Sequence, residues 1–159
     1  LESIWNKNAN EITINYAIKS AKLIVENLVL LSNDLDSIEY RDNIMKACMY
    51  AGLAFSNTQT AIAHAMSYYI TAHKGIDHGI ACSFTLPMLI DNVIGKHGFI
   101  DEALVEIFGE LNSNKLKDIL KELNISTAFK DYGFSEEELE KLKLSLENNQ
   151  RAGNSLVGI

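Results

Sequence analysis

The sequence predicts an all-α domain, and three observations carry that reading. Apolar residues recur at steps of three and four through most of the 159 residues, the spacing that lines one face of a helix. No window shows the sustained alternation expected of a half-buried strand. A single proline, Pro87, and nine glycines leave few chain breakers, which favours long helices over many short strands. Hydrophobic residues make up 47% and charged residues 22% of the chain, so a buried core is expected and wholesale disorder is excluded. The length suits one ordinary domain.

Ala17, Ala21, Ile24, Leu28 and Leu31 form the first stripe, on a helix predicted from about Asn10 to Leu30, with a turn at Ser32-Asn33-Asp34. Ile44/Met45, Cys48, Gly52 and Phe55 mark a second helix ending at Ser56-Asn57. The centre is crowded with small residues, Ala47, Ala51, Gly52 and Ala54, then Ala61, Ala63, Ala65 and Ala72, which let helix axes approach closely. A glycine-flanked turn, Gly75-Ile76-Asp77-His78-Gly79, precedes the apolar segment Ile80 to Leu86. Leu116, Ile119, Leu120 and Leu123 mark a later helix. Ser135 followed by Glu138 is a capping box for the last clear helix, on which Leu139, Leu142 and Leu146 share a face.

Lys and Arg number 14 against 21 Asp and Glu, a net charge of −7, which argues against a general binder of nucleic acid. Only Lys74, Asp77, Asp91 and Lys96 are charged between Ala51 and Ile100, whereas Asp101 to Gln150 holds twelve carboxylates. Solvated helices are therefore expected around a poorly solvated centre. The uncharged stretch from Ala47 to His73 is interrupted by Asn57, Thr58, Gln59, Thr60 and His64, so it reads as buried core and not as a membrane span. Cys48 and Cys82 show no pairing pattern and fit reduced thiols in the cytoplasm. The chain opens on Leu1 without a basic, apolar leader and reads as a piece of a longer protein.

All four histidines, His64, His73, His78 and His97, fall in the charge-poor centre. His64 sits mid-helix with almost no polar neighbours, as a core residue bonded to a carbonyl or as a ligand aimed at a buried ion. His78 lies at a predicted helix start, where Gly79 permits close approach. If Lys74-Gly75 folds the chain back, the two imidazoles converge. Neutral imidazole suits divalent iron or zinc. Asp77 is the nearest carboxylate, but beside His78 it reads as a turn or cap residue. His73 is a candidate for lining a pocket, and His97 a surface loop residue. On spacing alone this is half of a metal site.

Ala51-Gly52-Leu53-Ala54-Phe55-Ser56-Asn57, His64-Ala65, His78-Gly79-Ile80-Ala81-Cys82 and Leu86-Pro87 together resemble the iron-containing (group III) alcohol dehydrogenases, including the interval between the histidines. That resemblance implies a two-domain enzyme with an N-terminal domain that binds NAD(P) and a C-terminal helical bundle of the dehydroquinate-synthase-like type that holds the metal. Residues 1–159 correspond to the helical domain. The resemblance assigns His64 and His78 as ligands of Fe2+, with Zn2+ as the alternative. It further implies an Asp and a His supplied from before Leu1, where Leu1-Glu2-Ser3-Ile4-Trp5 reads as the continuation of that helical segment. Ala152-Gly153-Asn154-Ser155 resembles the approach to a final helix. The chain by itself is then expected to be inactive, and the substrate of the whole enzyme a small alcohol or aldehyde.

Many members carry a further histidine four residues beyond the first ligand; here that position is Tyr68, a candidate catalytic residue, with Tyr69 next to it. The Ser67-Tyr68 and Gly75-Ile76 surroundings resemble members acting on phosphonoacetaldehyde or related acidic aldehydes. Aromatic packing is the alternative role for both tyrosines. Cys82, Phe55, Phe84 and Met88 are expected in the core, with approach of Phe55-Ser56-Asn57 to the cleft between domains as the alternative. Separation from a partner domain should bare apolar surface near the histidines, so a homo-oligomer is expected. Two rival readings remain, a non-catalytic helical interaction or dimerisation module, and the same fold in a glycerol dehydrogenase or dehydroquinate synthase relative.

Overall fold

The computed structural model describes residues 1–158, and among them eight α-helices and two short 3-10 turns account for the regular structure. The expected all-α class holds. The helices are α1 (Glu11–Asn33), α2 (Ile38–Thr58), α3 (Ile62–Lys74), α4 (His78–Ser83), α5 (Leu86–Val93), α6 (Gly98–Phe108), α7 (Asn114–Glu122) and α8 (Glu136–Glu147).

Asn10 starts α1 because its side chain accepts from the Ile12 and Thr13 amides while Thr13 returns a bond to the Asn10 amide. The helix runs three residues past the predicted end, through Asn33, and the turn falls at Asp34–Ser37 instead. Helices α1 and α2 form an antiparallel pair. Of the crowded small residues Ala47, Ala54, Ala61, Ala63 and Ala65 are buried, whereas Ala51 and Gly52 are half-buried and Ala72 is exposed. The buried Ser20 hydroxyl donates to the Ala47 carbonyl at 2.8 Å.

The apolar pattern of α2 misleads in one respect. Met45, Met49, Leu53 and Phe55 are exposed, and only Ala47, Ala54 and Thr58 are fully buried. Phe55 (49% exposed) and Met88 (41% exposed) therefore do not belong to the core, whereas Phe84 does at 1%. Periodicity reports which residues share a face, not whether another element covers it.

Leu1 to Asn8 is not helical as its resemblance to a helix continuation implied. It runs through turns across the middle of the molecule, with Ile4, Trp5 and Asn6 almost wholly buried. The segment near Ser155 lies alongside it: Leu156 donates to the Trp5 carbonyl at 2.9 Å and Lys7 to the Asn154 carbonyl at 2.8 Å. Around this strap pack α3, α5, α6 and α8, with Phe84 between Phe129 and Tyr132.

The Ser135–Glu138 capping box of α8 forms as predicted. Its Glu138 also receives the Lys74 ammonium at 2.6 Å, which in turn donates to the Gly133 carbonyl at 2.7 Å and lies over the Phe134 ring. Lys74 and the Ser135 amide hold the Glu138 carboxyl down at about 2. This contact fixes the end of α3 against α8. No helix is long and apolar enough to cross a membrane among the described residues.

Candidate metal centre

Helix α3 begins without a capping side chain of its own, since its N-cap residue is Ala61. The missing acceptor comes from the buried strap. The Glu2 carboxylate accepts from the Ala63 amide at 2.6 Å through Oε1 and from the Ala61 amide at 3.3 Å through Oε2. A negative group suits this helix end, where unpaired N–H groups concentrate positive charge. Oε2 also lies 2.7 Å from Nδ1 of His64. Because the carboxylate accepts, Nδ1 carries the proton and Nε2 keeps its lone pair.

The second histidine is oriented by a different device. Gly75 ends α3 in the left-handed conformation (φ 65°), which a residue with a Cβ adopts at a cost, and the chain doubles back into α4 with His78 as its first residue. Nδ1 of His78 lies 3.2 Å from the buried Ser67 hydroxyl. That hydroxyl already donates its only proton to the His64 carbonyl at 2.8 Å, so toward His78 it accepts. Nδ1 of His78 is thus protonated, and Nε2 faces the Cys82 sulfur at 3.7 Å. The two ring centroids lie 5.6 Å apart.

Cys82, one helical turn after His78, completes a cluster of three donors. Its Sγ lies 3.7 Å from Nε2 of His78, and the donor atoms of His64, His78 and Cys82 all lie within 4.8 Å of one another. Burial raises the thiol above its ordinary pKa, the Ser67 hydrogen bond offsets part of this, and the Glu2 charge adds to the rise. Two nitrogens on one zinc or iron ion stand no more than about 4.2 Å apart, given metal–nitrogen bonds of roughly 2.1 Å. The 4.8 Å that bounds the whole cluster is close to that limit. Two imidazoles, each steadied through its Nδ1, with a thiol beside them are donors of the kind such an ion takes.

The other sequence candidates separate by position. The Tyr68 ring lies 5.5 Å from that of His78, and its hydroxyl accepts from Arg151 at 2.5 Å. His73 does not join the cluster. It is exposed at the end of α3, its Nδ1 bonded to the Tyr69 carbonyl at 2.8 Å and its ring stacked on Tyr69 at 3.9 Å. His97 is exposed at the start of α6. Asp77 occupies the N-cap position of α4 without making a side-chain cap bond.

Phe55 instead lines a cavity of about 260 Å³ beside His64, with Glu2, Gln59, Cys82 and Leu86 among the other walls. Gln59 adopts φ 65°, ψ 178°, a conformation otherwise left to glycine. The strained turn joins α2 to α3 and sets the height at which the Ala61 and Ala63 amides meet Glu2.

Four residues of this site escaped the sequence reading: Glu2, Ser67, Arg151, and Cys82 as more than packing. Glu2 is the lone carboxylate in Leu-Glu-Ser-Ile-Trp, and Ser67 lies three residues after His64. Both were visible as polar residues in apolar surroundings.

The fold is an all-α domain that brings donor atoms of His64, His78 and Cys82 within 4.8 Å of one another. Residues 1–154 match the C-terminal region of the Fe-containing alcohol dehydrogenase family, and the chain belongs to that family. Among its relatives are a sulfoacetaldehyde reductase of Bilophila wadsworthia, 27% identical over 97% of this chain and 45% of that protein, and a 1,3-propanediol dehydrogenase of Klebsiella pneumoniae, 32% identical over 69% of this chain and 28% of that protein. The structure of a sulfoacetaldehyde reductase from Bifidobacterium kashiwanohense, in complex with NAD+, superposes with a TM-score of 0.91 at 28% identity, covering 99% of this chain and 43% of that one. The chain thus spans less than half the length of these relatives.

Proposed function

We propose that this chain is the metal-holding helical domain of an NAD(P)-dependent alcohol dehydrogenase or aldehyde reductase. The observation that carries the reading is the pair of imidazoles, ring centroids 5.6 Å apart, each with its Nδ1 engaged, and the Cys82 sulfur 3.7 Å from Nε2 of His78. His64 and His78 would hold Fe2+ or Zn2+, and the nucleotide would be bound mainly by another domain of the cytoplasmic enzyme. Such an ion, when bound, polarises an alcohol or aldehyde oxygen, and the nicotinamide supplies or accepts the hydride. In reduction, the aldehyde carbon gains a hydride and its oxygen a proton, leaving an alcohol and the oxidised nucleotide.

This chain's own residues supply position. Glu2 fixes the tautomer and angle of His64, and Ser67 those of His78. Tyr68 accepts from Arg151, so its own proton is free to be donated to a substrate oxygen beside His78. Phe55 and Leu86 give the neighbouring cavity an apolar wall. Ile38, Met45, Met49 and Leu53 share one exposed face of α2, the surface we assign to contact with a second copy in a homo-oligomer.

The test uses the full-length protein. Metal content after dialysis and NAD(P)H oxidation with short aldehydes are measured for the wild type, His64→Ala and His78→Ala. Loss of both metal and turnover in each variant supports the proposal. Retention of bound metal by either variant refutes the assignment of the site.

A further inference from the structure

Arg151 is one of two arginines in a chain of net charge −7, and it forms no ion pair among the described residues. Its guanidinium lies over the Tyr68 ring, 4.9 Å from the centroid, and one nitrogen donates to the Tyr68 hydroxyl. Stacking on an aromatic face fixes the plane of the guanidinium, so the remaining N–H groups are preorganised. The other four of its five donors have no partner among the described residues. Tyr68 in turn stands beside His78, so the guanidinium is one tyrosine ring away from the metal centre.

The surroundings have the matching polarity. Tyr68 and Arg151 line an open cavity of about 540 Å³ whose other walls are Asn148, Asn149 and Gln150. No carboxylate lines it, although α8 just before it is rich in them. The nearest in sequence, Glu147, faces a different cavity, with Lys7 and Lys143. The Asn149 side chain accepts from the Arg151 and Ala152 amides, which holds the Arg151 backbone in place. A fixed, unpaired guanidinium among neutral amides is a receptor for oxyanions.

We propose that Arg151 binds an anionic group, a carboxylate, phosphonate or sulfonate, at the far end of the aldehyde or alcohol whose oxygen is directed to His64 and His78. The preferred substrates are then short aldehydes with a terminal negative charge. This inference rests on the dehydrogenase reading, and the experiment separates the two.

On the full-length, metal-loaded protein, kcat/KM is measured for 4-oxobutanoate and for butanal, which share a chain length and differ in the terminal charge, and for sulfoacetaldehyde. The wild type should favour 4-oxobutanoate or sulfoacetaldehyde over butanal by about 100-fold, as for two charge-assisted hydrogen bonds. In Arg151→Met, whose stem still covers Tyr68, that ratio should fall to near 1, chiefly through KM, with Arg151→Lys intermediate. Titration calorimetry with methylphosphonate on the nucleotide-saturated protein should show binding that weakens at least 10-fold in Arg151→Met.

A charge preference equal in wild type and Arg151→Met, or a wild type favouring butanal, overturns the proposal. So does methylphosphonate binding that ignores the substitution. If none of the aldehydes is reduced yet methylphosphonate binding depends on Arg151, the anion site stands and the dehydrogenase reading fails.

Discussion

Changing Glu2 to glutamine tests how this fold sets the chemistry of His64. The two carboxylate oxygens are not equivalent. Oε1 faces the Ala63 amide at 2.6 Å, a donor that cannot reverse, whereas Oε2 faces the Ala61 amide and Nδ1 of His64. A glutamine keeps one acceptor, and the short Ala63 contact claims it. The amide NH2 then sits at the Oε2 position, where His64 must become the acceptor. The imidazole proton moves to Nε2, the nitrogen that should face an ion. Metal affinity is expected to fall 10- to 100-fold, roughly the effect of removing an outer partner of a ligating histidine. Glu2→Ala frees the tautomer without inverting it, so it should bind metal more tightly than Glu2→Gln. Stability should rank the other way. Alanine leaves two amide donors and a ring nitrogen without their buried acceptor, a loss of roughly 2–4 kcal/mol, and glutamine loses about half of that. Chelator competition on the full-length protein, urea unfolding and the 15N shifts of His64 report the three quantities. Equal metal affinity in Glu2→Gln and wild type would refute the argument, leaving Glu2 a helix cap alone.

Two further outcomes concern the scaffold. The Glu138 carboxyl is held at about 2 by Lys74 and Ser135, below an ordinary value of 4.5, so its contribution to stability is complete above about pH 4.5 and is lost as pH falls toward 2. Glu138→Gln should therefore be less stable than wild type at pH 6, with the gap closing by pH 2 in urea titrations; a gap independent of pH counts against the contact. Gln59→Gly should relieve backbone strain of about 1–3 kcal/mol against a flexibility cost of roughly 0.5–1 kcal/mol. A net gain near 1 kcal/mol is expected from the unfolding midpoint, and a loss would show that the Gln59 side chain outweighs its backbone.

Much of the frame was legible from local chemistry. Asn10 with Thr13 and Ser135 with Glu138 announce helix starts, because a cap is a contact between residues three apart. Gly75 announces the reversal that brings His78 back toward His64, because only a residue without a Cβ takes that turn freely. The interval of fourteen between the two histidines carried the family resemblance, and residues 1–154 match that family.

Other features depend on residues far apart in the chain. Glu2 reaches α3 across 62 residues and Arg151 reaches Tyr68 across 83. Phe55 and Met88 carry the same apolar signal as Phe84, yet only Phe84 is covered. Hydrophobicity measures what a side chain gains if buried; which faces are buried depends on how the elements pack. The sequence by itself therefore determined the helical class, several helix starts and the pair of histidines. Tertiary structure decided which nitrogen each histidine presents, because a tautomer is set by the partner on the ring's other side, and that partner is supplied by the folded chain.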